Sequence, residues 1–285
     1  MGFLHNDINL KTEVFRFIFI VLFGGLPFLS WAQTYEEVVA EAIAAAQTDS
    51  LSRSENLFRQ ALKMSPGDHR NSLVYHNLGH VQELMYWQRT EDTKMLEEAL
   101  YNYSRAIELQ PNSIPMRFSR ANFYSNLEQY GKAVADYTKI IERDNRNTDA
   151  LTYRAFAYYQ SRDYDKARTD YEEVLRYKPS DYASQLGVAL ILQKTYRVGE
   201  AIRRMEFLVT EHPDKAELYA VRSSMFVDNG KLDLALTDIN RAIELDPASA
   251  EYYHQRGAIY GKQGKKKLAQ RDFRKASKLN RAPMK

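Results

Sequence analysis

The sequence predicts an all-α solenoid built from repeated pairs of helices, and three observations support this prediction. Prolines recur at spacings of 34 residues or twice that number, at Pro111, Pro179, Pro213 and Pro247, and Asn145 stands where the missing one belongs. Twelve residues before each of these stops lies an alanine that opens an apolar stripe at i, i+4 and i+7, which is one face of a helix. An earlier pair of small and large residues, three apart, marks another helix in each repeat.

Each element of the repeat follows from residue size and backbone chemistry. A small residue in the second helix allows a neighbouring helix to approach closely, and the proline ends that helix because it has no N–H to donate. These small residues are Ala99, Ala133, Ala167, Ala201 and Ala235. The small–large pairs of the first helices include Ala121 with Tyr124, Ala155 with Tyr158 and Ser223 with Phe226. We expect short turns between the two helices, at Gln129-Tyr130-Gly131 in one repeat and Asn229-Gly230 in another.

The repeat pattern has a physical explanation and resembles the pattern of a known family. A two-helix unit of about 34 residues cannot bury its apolar face alone, whereas stacked copies bury a continuous core. Tyr75-x-x-Leu78-Gly79 opens one repeat, and Ala269-x-x-x-Phe273-x-x-Ala276 closes another. In these positions the chain resembles the tetratricopeptide repeat (TPR) family. The resemblance covers nearly all of the chain after residue 32 and implies a right-handed superhelical solenoid of about seven TPR units.

The register places seven repeats along the chain, of which the second is unusually long. The repeats are residues 35–68, 72–113, 114–147, 148–181, 182–215, 216–249 and 250–283. The second has 42 residues, and its eight extra residues lie around Tyr86–Thr93, between its two helices. Either each helix gains about a turn or a loop is inserted. An insertion in a solenoid often marks a binding face, and a tolerated drift in a connection is the alternative.

The N-terminus differs in composition from everything after it. Phe17 to Ala32 is a run of sixteen residues without charge, and Ser30-Trp31-Ala32 places small residues at the two positions that a signal peptidase reads. Residues 1–32 are therefore predicted to be an export signal that is cleaved before Gln33, with an uncleaved N-terminal anchor as the alternative. Both interpretations place the rest of the chain outside the cytoplasm. We expect a periplasmic or outer-membrane-associated protein of a Gram-negative bacterium.

Composition and charge exclude several classes of function. The 285 residues are 44% apolar, carry a formal net charge of +3 and include no cysteine, which excludes disulfides, thiol nucleophiles and cysteine metal sites. No nucleic-acid partner is expected from so small a net charge. Lys262–Lys285 contains ten Lys or Arg and one acid, Asp272. These charges either keep the last helix solvated or contact an anionic surface, and self-association is open because TPR arrays also associate with themselves.

The sequence contains no constellation typical of an active site. His76 and His80 are four residues apart on a predicted helix and Glu83 follows, but the zinc-protease pattern requires Glu where Asn77 stands. No glycine-rich phosphate loop and no Gly-x-Ser-x-Gly elbow is present. We therefore predict that the protein is not an enzyme and uses no cofactor or metal, and we interpret the histidines as polar residues of a groove.

The TPR resemblance implies where a partner binds. In this family the first helices line a concave groove, and the matching inner positions are Phe118, Asn122, Asn126, Thr152, Phe156, Tyr159, Leu186, Leu190 and Gln193. Asn122 stands where a family asparagine contacts the ligand backbone. The alternative for Phe118, Phe156 and Leu190 is packing between adjacent first helices.

The predicted function is a protein–protein interaction scaffold of the cell envelope that binds a peptide segment or a partner helix in this groove. An aromatic and amide-rich surface also suits sugars, so a protein that binds a glycan or a cell-wall fragment is the alternative. An accessory domain for a catalytic partner on another chain is a third interpretation. The chaperone-binding TPR class is excluded, because Phe118 replaces the lysine that its clamp requires.

Overall fold

A computed structural model describes residues 33–88 and 92–281, and within these ranges the chain is all-α, as predicted. The fourteen helices are α1 (Tyr35–Gln47), α2 (Leu51–Met64), α3 (Asn71–Gln88), α4 (Thr93–Leu109), α5 (Ile114–Asn126), α6 (Tyr130–Arg143), α7 (Thr148–Gln160), α8 (Tyr164–Tyr177), α9 (Tyr182–Lys194), α10 (Val198–Glu211), α11 (Ala216–Asp228), α12 (Leu232–Leu245), α13 (Ala250–Lys262) and α14 (Lys266–Arg281). The predicted export signal, residues 1–32, lies outside the described residues. None of the described helices is long and apolar enough to cross a membrane.

The helices belong to two compact units that divide between Ala150 and Leu151. In the N-terminal unit, each helix from α1 to α5 packs on the helix that follows it in sequence. In the C-terminal unit the same holds from α8 to α14. Each odd-numbered helix is thus the first helix of a pair, and each even-numbered helix is the second.

The two helices of a pair approach most closely where both carry small residues. Ser54 of α2 is fully buried, and its hydroxyl donates a hydrogen bond of 2.8 Å to the backbone carbonyl of Ala42 in α1. In the last pair, a Cβ atom on Gly257 would lie 3.2 Å from the carbonyl oxygen of Ala269. Side chains any larger would push the helices apart, so the size pattern in the sequence reflects direct contact between a side chain and the facing backbone.

One turn beyond each small residue of the second helix, a large side chain fills the space between helices. These side chains are Tyr103, Tyr137, Tyr171, Met205 and Ile239, each at most 2% exposed. The ring of Tyr171 also reaches α9 of the next pair, where Gly187 leaves room for it. The cores of the fourth and fifth repeats are therefore in direct contact.

In the described part of the chain, four repeats contain a buried ion pair between an arginine of the first helix and an aspartate sixteen residues later in the second. The pairs are Arg120–Asp136, Arg154–Asp170, Arg222–Asp238 and Arg256–Asp272, with N–O distances of 2.6 to 2.8 Å. The aspartate side chains are only 2–7% exposed. In the fifth repeat the same two positions are Val188 and Arg204.

Two of these arginines also bind the preceding repeat. Arg120 donates from Nη1 to the hydroxyl of Ser104 in α4 at 2.9 Å. Arg256 donates in the same way to the Oδ1 atom of Asn240 in α12 at 2.8 Å. The guanidinium group thus holds its own helix pair together and attaches it to the one before, which a lysine with its single point charge does less well.

The extra residues of the second repeat lengthen its helices. Helix α3 has 18 residues and α4 has 17, compared with 13 in α5 and 14 in α6. The first of the two alternatives, a gain of about one turn in each helix, therefore describes this repeat. Residues 89–91 between the two helices lie outside the described part of the chain.

The turns between the paired helices correct one prediction. Helix α5 ends at Asn126 and α6 begins at Tyr130, so the turn is residues 127–129 and the predicted turn at Gln129-Tyr130-Gly131 is wrong. The residue that adopts the left-handed conformation is Glu128, with φ of 57°. The matching residues of the next repeats are Arg162, Tyr196, Gly230 and Gly264. The glycine in helix α6 misled the prediction, because a non-glycine residue takes the left-handed position here.

We expect Gly187→Ala to destabilise the protein. A Cβ atom on Gly187 would lie 2.4 to 2.8 Å from three carbon atoms of the Tyr171 ring, closer than real contacts allow. The ring or helix α9 must then shift, at a cost of roughly 1–3 kcal/mol. Urea unfolding followed by far-UV circular dichroism measures the change. Gly199→Ala in α10 is the matched control, since nothing lies within 4 Å of its added Cβ. An unfolding midpoint for Gly187→Ala equal to that of the control would contradict the packing described.

Candidate functional site

Seven of the nine predicted groove residues are partly exposed on first helices. They are Phe118, Asn122 and Asn126 on α5, Thr152 and Tyr159 on α7, and Leu190 and Gln193 on α9. The α5 residues belong to the N-terminal unit and the others to the C-terminal unit. The two sets are therefore two separate candidate surfaces.

The remaining two predicted residues, Phe156 and Leu186, are core residues. Phe156 is 7% exposed and Leu186 is 2% exposed, so the prediction that they line an open groove is wrong. The middle of α7 and the middle of α9 are both enclosed by neighbouring helices. Ala155 and Ala157 of α7 are fully buried, and residues 186–189 of α9 are all buried. In a first helix that is enclosed in this way, an apolar side chain at an inner position contributes to the core.

In the N-terminal unit, a core tyrosine fixes the orientation of the predicted asparagine. The hydroxyl of Tyr137 donates a hydrogen bond of 2.6 Å to Oδ1 of Asn122. The Phe118 ring packs edge-on against the same tyrosine, with centroids 5.6 Å apart. Since the amide oxygen accepts from Tyr137, the two N–H donors and the second lone pair of the oxygen make up the remaining hydrogen-bonding capacity of this side chain. The arrangement presents an amide donor beside a partly exposed aromatic ring.

The second repeat has an acidic counterpart of this arrangement. The hydroxyl of Tyr103 donates to Oε2 of Glu83 at 2.6 Å, and Nδ1 of His80 lies 3.8 Å from the same carboxylate oxygen. Burial raises the pKa of Tyr103 well above its ordinary value, and the Glu83 carboxylate adds to the effect. A tyrosine of the second helix thus holds a polar side chain of the first helix in both repeats. Nothing in the sequence pattern of small and large residues indicated this use of the hydroxyl.

His76 is a core residue, which removes it from any ligand site. It is 3% exposed, its Nε2 lies 2.9 Å from the hydroxyl of Ser119 in α5, and its ring packs against that of Tyr103. Burial lowers the pKa of His76 to about 4, with a smaller contribution from His80. In the described part of the chain, no group of three or more His, Asp or Glu side chains is placed to hold a metal ion.

The lengthened helix α3 adds an aromatic surface beside α5. Tyr86 and Trp87 pack edge-to-face with centroids 4.8 Å apart, and both rings contact Phe123 of α5 at just over 6 Å. Phe123 is fully buried, whereas Trp87 is 47% exposed. The sequence feature that indicates this surface is the extra length of the second repeat. That length alone does not show which side chains are exposed.

In the C-terminal unit, two of the predicted residues, Gln193 and Tyr159, are engaged with other side chains of the protein. Nε2 of Gln193 donates to the hydroxyl of Ser224 at 3.1 Å and to Oδ2 of Asp228 at 2.6 Å, which connects α9 to α11. The Tyr159 ring packs against Tyr164, and burial, with a smaller contribution from that tyrosine, raises the pKa of Tyr159 to about 12. Gln193 is thus a link between first helices and offers less to a ligand than Asn122 does.

The repeats of this chain match family models. Tetratricopeptide repeat models match residues 114–147, 148–181 and 250–283, and a TPR repeat model matches residues 224–264. The first three ranges have the same limits as the third, fourth and seventh repeats placed from the sequence. No curated protein matches the chain.

Solved structures have the same fold. A tetratricopeptide repeat protein from Parabacteroides merdae ATCC 43184 is 26% identical, with a TM-score of 0.72 over 87% of this chain and 94% of that one. The MamA protein from Desulfovibrio magneticus RS-1, from residue 41 to its end, is 20% identical, with a TM-score of 0.50 over 58% of this chain and 97% of that one. These likenesses support an all-α solenoid of such repeats.

We expect the burial of His76 to make the protein less stable as the pH falls. The unfolded chain binds a proton at this histidine below about pH 6.5, whereas the folded chain does so only near pH 4. The contribution of neutral His76 to the free energy of unfolding is therefore fully present above about pH 6.5. This contribution falls progressively as the pH is lowered to about 4, by up to roughly 3 kcal/mol. Urea unfolding between pH 7 and pH 4.5 measures this loss.

His76→Asn is the control, because asparagine keeps a polar partner for Ser119 and does not titrate in this range. The variant should lose distinctly less stability over the same pH interval than the wild type. Parallel pH profiles for the two proteins would show that His76 titrates normally in the folded state.

Proposed function

Because this chain is built from tetratricopeptide repeats, we propose that it is a non-enzymatic scaffold that binds a peptide segment or a partner helix of another protein. The observation that carries the proposal is the Asn122 amide, whose orientation Tyr137 fixes, beside the partly exposed ring of Phe118. An amide donor next to an aromatic ring suits a peptide, whose backbone carbonyl accepts from the amide and whose apolar side chain covers the ring.

The neighbouring side chains extend this surface over α3. The indole of Trp87 offers further apolar area, and the Glu83 carboxylate, held by Tyr103, offers an acceptor for a donor group of the ligand. Binding requires no covalent step. Affinity comes from burial of apolar groups on a surface whose polar side chains are already oriented, so little side-chain entropy is lost on binding. Phe156 and Leu186 contribute to this function only by supporting the helices.

We further propose that the scaffold works outside the cytoplasm, in the periplasm or at the outer membrane of a Gram-negative bacterium. The support for this is the uncharged run from Phe17 to Ala32 and the small residues before Gln33, all in the sequence that precedes the described residues. The partner is then expected to be another protein of the envelope.

A photoreactive benzoylphenylalanine in place of Asn126 should form a discrete protein adduct when cells that produce the full chain are irradiated. Asn126 lies one turn from Asn122 and is partly exposed, so a bound segment passes within reach. Ala135, which is exposed on the second helix α6, is the matched position and should form no such adduct. Immunoblotting of irradiated cells measures both.

Variants of the surface make this test specific. Phe118→Ala/Asn122→Ala should abolish the adduct while circular dichroism shows intact helix, and Tyr137→Phe should reduce it several-fold because the amide is no longer held. An adduct at Asn126 that survives the double variant, or one that forms only at Ala135, would exclude this surface. If no protein is captured and a cell-wall glycan fragment binds saturably to the wild type but not to the double variant, the glycan-binding alternative is correct.

The proposed location has its own test. The mature protein should be recovered from the periplasmic or outer-membrane fraction, and its N-terminal sequencing should begin at Gln33. A protein in the membrane fraction that begins at Met1 would establish the uncleaved anchor. A full-length protein in the cytoplasmic fraction would contradict export.

A further inference from the structure

The fifth repeat is the one repeat between residues 114 and 281 that lacks the buried Arg–Asp pair, and both positions have changed. Val188, at the arginine position, is 1% exposed and belongs to the core. Arg204, at the aspartate position in α10, is partly exposed. A carboxylate that faces inward in the other repeats is therefore replaced by a cation that is accessible to solvent.

Arg204 is held in place by a neutral side chain. Its Nη1 atom donates a hydrogen bond of 2.9 Å to Oε1 of Gln185. Gln185 in turn donates from Nε2 to the backbone carbonyl of Pro179 at 2.8 Å. Both ends of the Gln185 amide are thus engaged, which orients the guanidinium group without neutralising its charge.

The acidic residue that shares this surface is engaged with another arginine. Glu200 accepts two hydrogen bonds of 2.7 Å from Arg197, and this pairing lowers the pKa of Glu200 below its usual range. Among the described side chains, neither Arg204 nor its exposed neighbour Arg203 has a carboxylate within 4.0 Å. Arg203 and Arg204, on adjacent positions of α10, therefore form no ion pair of their own with a described side chain, although the charge of Arg203 acts on Glu200 at longer range.

An exposed aromatic ring completes the surface. Phe207, one turn after Arg203 on the same helix, is 47% exposed. The five side chains Gln185, Glu200, Arg203, Arg204 and Phe207 line a shallow depression of about 380 Å³. Arginine and aromatic side chains are the types most often found at the energetic centre of protein interfaces.

We propose that this depression, defined by those five residues, binds an acidic segment of a partner protein. A carboxylate of the segment pairs with the guanidinium groups of Arg203 and Arg204, whose planar geometry matches a carboxylate bidentately, and an adjacent apolar side chain covers Phe207. The Glu200 carboxylate at the edge of the depression disfavours a dense polyanion such as a nucleic acid. This surface, on α9 and α10, shares no residue with the candidate surface on α3 and α5.

The test uses the full chain and a fluorescein-labelled peptide, Ser-Gly-Glu-Glu-Phe-Glu-Glu-Gly-Ser, in fluorescence anisotropy at low ionic strength. Arg203→Gln/Arg204→Gln should weaken binding at least tenfold, and Phe207→Ala several-fold. The same peptide with Gln in place of Glu should bind the wild type at least tenfold more weakly. Arg271→Gln/Arg274→Gln on the more basic helix α14 removes the same charge and should leave affinity within about twofold.

A second variant restores the pattern of the other repeats. Val188→Arg/Arg204→Asp recreates the buried pair and should lose peptide binding while circular dichroism and the unfolding midpoint show a folded protein. The proposal is overturned if the peptide does not bind saturably, if Arg203→Gln/Arg204→Gln binds like the wild type, or if the two double glutamine variants lose affinity equally, since the last result indicates general attraction to a basic protein.

Discussion

Two helices approach to hydrogen-bonding distance only where the facing side chains are small, and the rest of this molecule depends on that contact. Where Ser54 reaches the carbonyl of Ala42, or where Gly257 leaves 3.2 Å between an added Cβ and the carbonyl of Ala269, the helices are as close as their backbones allow. This closeness fixes where the next turn must place a large side chain. It also explains why the helices can form a core although each is short.

The large side chain that fills the gap also connects packing to the candidate surface of the N-terminal unit. Tyr103 and Tyr137 are buried by the helix contact, yet their hydroxyls extend to the first helices and hold Glu83 and Asn122. A phenol buried in a core needs a partner for its hydroxyl, and in these two repeats a polar side chain of the first helix supplies it. At the same positions of the fifth and sixth repeats, methionine and isoleucine have no hydroxyl to hold such a side chain.

Much of the fold could be predicted from the sequence because size and period act locally. The register of helices follows from the spacing of alanines and prolines, whereas the turn at Glu128 does not, since a left-handed residue without glycine has no sequence signal. The candidate site was predicted less well. Asn122 is partly exposed on a first helix, and its contact with a partner stays a prediction. Phe156 is buried, because enclosure of a first helix depends on neighbours that periodicity does not specify. The Arg–Asp pairs recur at 34 residues or twice that spacing, yet their burial could not be predicted, because charges on a helix usually indicate a solvated face.

The buried Arg–Asp pair has a consequence for how such a repeat can change over generations. Loss of either partner leaves a buried, uncompensated charge, at a cost of about 3–5 kcal/mol, whereas loss of both can be nearly neutral. Single substitutions at these positions are therefore selected against, and the paired change is reached only by crossing a disfavoured intermediate. Val188 and Arg204 in the fifth repeat are a paired change of this kind, since the ion pair is replaced at both positions and neither residue leaves a buried charge without a partner.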